Sequence, residues 1–115
     1  MIRLLIVASV LASPVLAESP AIRDVIATPT GVGWYIDVTL AHPDTGWDHY
    51  ADGWRIEDEK GTVLATRTLL HPHVSEQPFT RGLAVEQELP ARIVVRASCN
   101  VDGWADTATP VELSR

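Results

Sequence analysis

The chain concentrates its candidate chemistry in a few places. All four histidines, His42, His49, His71 and His73, fall within one 32-residue span, and Cys99 is the only cysteine. In His71-Pro72-His73 the two imidazoles are at i and i+2, a spacing that puts them on the same face of an extended backbone and lets them share an ion. Imidazole is a good ligand for copper and zinc, and it also serves iron. His42 and His49, flanked by Asp44 and Asp48, would complete such a site if the two irregular segments meet at one end of the fold. The expectation is therefore a transition-metal site built from His71 and His73 plus His42 or His49. The competing reading makes these histidines hydrogen-bonding residues of proline-containing loops.

Cys99 shares its strand parity with Ile93, Val95 and Ala97, which turns it inward as a buried thiol rather than a nucleophile. No serine-hydrolase elbow, phosphate-binding loop or paired-acid motif is present, and no Cys/His pair stands at a catalytic spacing. A non-enzymatic binding module is the expected class.

Every tryptophan follows a glycine: Gly33-Trp34, Gly46-Trp47, Gly53-Trp54 and Gly103-Trp104. Trp34 and Trp54 open strand-like runs and read as core. Trp47 and Trp104 fall in loops, where aromatic side chains often line binding surfaces, so they are the candidate ligand or partner contacts. They would also be the working surface if the protein is a metal-free interaction module.

The elements that must hold these residues read as strands. Trp34, Ile36, Val38 and Leu40 alternate with Tyr35, Asp37 and Thr39, the period-2 signature of a half-buried strand. Ile22 to Thr28 reads as an edge strand closed by Pro29-Thr30-Gly31. Trp54 to Glu57 and Thr62 to Leu70 make a hairpin around Asp58-Glu59-Lys60-Gly61. Phe79 to Glu88, Ile93 to Cys99 and Val111 to Leu113 supply the rest, while 42–53, 71–78 and 100–110 read as loops. A Glu76–Arg81 ion pair is expected to pin the second loop. About seven short strands with no helical period argue for an all-β antiparallel sandwich of the immunoglobulin or fibronectin III kind.

The opening Arg3, the apolar run Leu4 to Leu11 and the small residues before Glu18 form a secretory signal peptide. Residues 1–17 are thus expected to be removed, leaving one domain over 18–115 that is periplasmic or secreted. The lone cysteine lies far from the cleavage region, which argues against a lipid anchor. Loss of Arg3 leaves 8 Lys+Arg against 15 Asp+Glu, a charge of −7; that acidity disfavours nucleic acid and leaves a metal ion or a protein as partner. An unpaired cysteine makes no internal disulfide, so stability must come from packing, a metal or association.

One resemblance joins the two ends of this pattern. His42-Pro43-Asp44-Thr45-Gly46-Trp47-Asp48-His49-Tyr50, with the Trp54-Arg55-Ile56 strand and Cys99-Asn100-Val101-Asp102-Gly103-Trp104, resembles the superoxide reductases, the neelaredoxin and desulfoferrodoxin iron domain. The resemblance implies an immunoglobulin-like sandwich carrying a mononuclear iron held by four histidines and a cysteine. Carried over, His42, His49 and Cys99 would be ligands of an iron-dependent reductase. Asp102 stands at the position of the last histidine ligand, His49 is one residue beyond the family spacing, and no histidine precedes His42.

Overall fold

The computed structural model describes residues 19–115, all-β throughout: β1 (Ala21–Pro29), β2 (Trp34–Ala41), β3 (Ala51–Glu57), β4 (Val63–Thr68), β5 (Phe79–Val85), β6 (Arg92–Cys99), β7 (Gly103–Trp104) and β8 (Thr109–Glu112). The expected signal peptide lies outside the described residues. β1, β2 and β5 form one antiparallel sheet in that order, with β1 at its edge; β4, β3 and β6 form the other, and β7 and β8 pair with β6.

Alternation decides which face each strand buries. Trp34, Ile36, Val38 and Leu40 are all buried on β2, and Ile93, Val95, Ala97 and Cys99 on β6. Phe79 and Val85 from β5 and Trp54 and Ile56 from β3 complete one core shared by both sheets. Burying such side chains contributes roughly 1.5–3 kcal/mol each, which is how a chain without a disulfide holds together.

β3 begins at Ala51, earlier than its alternation suggests, because of a bulge. Ala51 pairs with Cys99 and Gly53 with Ser98, leaving Asp52 as the extra residue. Ala51 and Trp54 are three apart and would face opposite sides of a regular strand; the extra residue resets the pleat so that both turn inward, and both are fully buried. Asp52 is itself used, its Oδ1 accepting from Ser98 Oγ at 2.5 Å. The 100–110 segment, expected as loop, contains β7, whose Gly103 and Trp104 pair with Cys99 and Ser98. Gly103 takes a positive φ of 73°, so the chain reverses there within a few residues of Cys99.

This topology brings the informative segments to one end. β2 runs out into His42, β3 begins just after His49 and Tyr50, β6 ends at Cys99, and Phe79, which opens β5, pairs with Leu40 near the end of β2. The 71–78 loop therefore leads back into the sheet beside His42.

Candidate metal centre

His42, His49 and Cys99 converge. Each offers one ligand atom, and the three atoms lie within 4.8 Å of one another. Two donors on one trigonal ion would be about 3.5 Å apart, given bonds of about 2.0 Å to nitrogen and 2.3 Å to sulfur, a difference that small side-chain rotations close. Neither Nε2 of His42 nor that of His49 has a hydrogen-bond partner although both are buried, and the His42 and His49 rings meet edge to face at 4.6 Å. Buried polar nitrogens are normally paired; Trp34 Nε1, Trp54 Nε1, Arg67 Nε and His73 Nδ1 are also buried without partners, but only the His42 and His49 nitrogens belong to a cluster with a buried thiol, where an ion could take their lone pairs.

The supports of each ligand can be traced. His42 Nδ1 is 2.5 Å from Asp44 Oδ1, with both side chains completely shielded. The same Oδ1 accepts the Ala51 N–H, and Oδ2 accepts the His73 N–H at 2.8 Å. A carboxylate already receiving those donors acts as acceptor toward His42 as well, so the imidazole hydrogen is assigned to Nδ1 and the lone pair to Nε2. This carboxylate–imidazole arrangement fixes the tautomer and orientation of a metal ligand.

His49 sits on a tight turn in which the Thr45 N–H donates to His49 O and the His49 N–H to Gly46 O. Gly46 has a φ of 145°, a conformation suited to glycine. Asn100 clamps that turn to the residue after Cys99: its Oδ1 accepts the Tyr50 N–H, and its Nδ2 donates to Trp47 O and Asp48 O. The Cys99 sulfur accepts the Asp102 N–H at 3.3 Å, which fixes its position.

His71 and His73 are placed differently. Their rings are 4.5 Å apart, as the i, i+2 spacing suggests. His73 is buried, stacked on Phe79 at 3.9 Å, and its Nε2 lies 2.8 Å from Arg81 Nη2. Burial pushes the His73 pKa below its ordinary value, and the neighbouring Arg81 and His71 charges push the same way. With the guanidinium donating to Nε2, the ring hydrogen falls on Nδ1, which is buried without a partner. His71 is exposed, its Nδ1 3.1 Å from Pro72 O. Among the described residues the three-ligand cluster contains neither of them. The expected Glu76–Arg81 ion pair is also absent among the described residues: the arginine turns to His73 and to Thr80 O instead.

The two loops nevertheless share one rim. Besides the Asp44 bond to His73, Gln77 bridges them, accepting the His42 N–H at Oε1 and donating from Nε2 to His73 O. Trp47 is 65% exposed at the tip of the His49 turn, edge-on to Tyr50, whereas Trp104 is partly covered by the Arg55 guanidinium, 4.2 Å from its ring. Asp102 contributes its backbone N–H to the Cys99 sulfur.

In the sequence Asp44 and Asp48 are only flanking acids, and the connecting roles of Asp44, Gln77 and Asn100 are not legible there. The one local signal was His42-Pro43-Asp44, an acid two residues from a histidine; the clamps reach across 35 and about 50 residues, beyond any local pattern.

The fold and site together define an all-β, two-sheet protein with a His, His, Cys constellation at one end. A "Putative lipoprotein" of Halomicrobium mukohataei is 36% identical over 98 residues, which cover 84% of this chain and 48% of the relative. The chain thus spans about half the length of the curated relative it matches. No family model and no solved structure matches the chain.

Proposed function

We propose that this is a small exported binding module that holds one transition-metal ion through His42, His49 and Cys99. The observation that carries the reading is the convergence of the three ligand atoms with both histidine Nε2 atoms buried and unpartnered. The carboxylate behind His42 keeps the ring hydrogen on Nδ1 and turns the Nε2 lone pair toward the cluster, and the Asp102 N–H holds the Cys99 sulfur in place. Export is supported by the leader-like residues 1–17 and by the lipoprotein name of the relative. The sandwich is of the fibronectin III kind in this reading, with β1, β2 and β5 in the places of strands A, B and E, and β4, β3, β6 and β8 in those of C′, C, F and G.

Two other readings rest on particular features. An altered superoxide reductase-like iron protein would use the same His42, His49 and Cys99. A metal-free interaction module would use the exposed Trp47 with Trp104.

The test is metal content of the purified exported protein after exposure to copper, zinc and iron, followed by dialysis. One ion per chain is expected, lost in His49→Ala and Cys99→Ser and kept in the His71→Ala, His73→Ala double variant. Metal that survives the first two changes and leaves with the double variant would move the site to the His71–His73 pair; no metal under any condition would leave the interaction module.

A further inference from the structure

We infer that the ion held by His42, His49 and Cys99 is copper, in a three-donor site of two imidazoles and one thiolate. The inference rests on the proposed metal site and goes further by choosing the metal.

Donor count makes the choice. The iron centre implied by the resemblance takes four imidazoles and a thiolate, and this chain brings two and one together. Neither remaining histidine belongs to the cluster: His73 stacks on Phe79 with its Nε2 facing Arg81, and exposed His71 has its Nδ1 turned to Pro72 O. Asp102 gives its N–H to the sulfur rather than a carboxylate to an ion. The residues present do not fit that iron centre.

Zinc prefers four ligands in a tetrahedron and would need one from outside the cluster, in which His42 and Cys99 are shielded from solvent and His49 is half-buried. Copper bound by thiolate and imidazole is satisfied by a trigonal two-nitrogen, one-sulfur set, with any axial donor long and weak, and it stands highest in the affinity order for divalent ions. The only methionine is Met1, so an axial thioether cannot come from the described residues. The N–H donated to the sulfur and the carboxylate behind His42 hold two of the three donors before any ion arrives, the preorganisation such a low-coordinate site requires.

The experiment uses the purified exported chain, chelator-stripped and reduced, loaded anaerobically with Cu(I), Cu(II), Zn(II) or Fe(II) in separate samples. Expected are one copper per chain, an intense visible thiolate-to-copper(II) absorption, a narrow copper hyperfine splitting, and X-ray absorption fitted by two nitrogens and one sulfur. Cys99→Ser should abolish the visible band, and His71→Ala with His73→Ala should leave it. Where Cu(II) oxidises the thiol before binding, the Cu(I) sample's X-ray absorption decides. A copper spectrum of ordinary tetragonal type without sulfur, or iron or zinc retained through these residues while copper is not, overturns the copper assignment and leaves the metal site standing. Failure of every metal to bind overturns both.

Discussion

His42 Nδ1 lies 2.5 Å from Asp44 Oδ1, and both side chains are fully shielded from solvent. Asp44 also accepts the Ala51 and His73 N–H groups, so one carboxylate orients a ligand, anchors the start of β3 and ties down the second loop. Asp44→Ala would strand a buried imidazole donor and two backbone donors, each costing about 1–3 kcal/mol. Asp44→Asn keeps one acceptor oxygen and should fold more readily, yet lower metal affinity by about 10–100-fold, the usual effect of losing such a partner. Competition titration against a chelator measures this; wild-type affinity in a folded Asn variant would remove Asp44 from the site.

Asn100 is the second clamp, and it acts on the turn that carries His49. Asn100→Ala removes its bonds to Tyr50 N, Trp47 O and Asp48 O. These bonds are exposed, so the stability cost should be modest, about 1–2 kcal/mol, while amide exchange across 45–50 should rise and metal affinity fall about tenfold. Unchanged exchange in that turn would show that its own Thr45 and His49 backbone bonds suffice.

Burial, Arg81 and His71 all depress the His73 pKa, which means the folded state binds that proton more weakly than the unfolded chain. The stability contributed by the neutral ring is complete above the ordinary value of about 6.5 and is lost as the pH falls from there through the folded value. Arg81→Gln removes one of the depressing charges and should raise the His73 pKa. Proton NMR of the imidazole against pH reads both numbers, and titration of wild-type His73 at or above the ordinary value would contradict the buried stacked geometry.

A Cβ added at Gly33 would sit 2.1 Å from Val85 O and 2.8 Å from Gln87 N and O, all backbone atoms that cannot swing aside. Gly33→Ala should therefore destabilise the protein by about 3 kcal/mol, the upper end of overpacking costs, where Gly31→Ala, with open space around it, should cost far less. Denaturant midpoints of the two variants make the comparison, and equal midpoints would mean that β2 and β5 separate freely at that end.

The strands were legible where a side chain's environment depends on its neighbours in the chain. Trp34 to Leu40 and Ile93 to Cys99 alternate, and the alternating members are the buried ones; the hairpin at 58–61 followed from its turn residues. The start of β3 was not legible, because the Asp52 bulge changes the parity of Ala51 without leaving a mark in composition. The Glu76–Arg81 pairing failed for a similar reason. Proximity in sequence suggested it, and a buried histidine acceptor together with a backbone carbonyl took the arginine instead.

The candidate centre divides in the same way. The sequence by itself determined the donor types, the inward parity of Cys99 and the shared face of His71 and His73. Only the tertiary structure decided which donors meet. The pairing of Ala51 with Cys99 and the end of β2 bring His42, His49 and Cys99 together, while Arg81 and Phe79 claim His73. The reason is geometric: a ligand set is a matter of distances across strands tens of residues apart, and those distances depend on strand order and register, which local alternation does not contain.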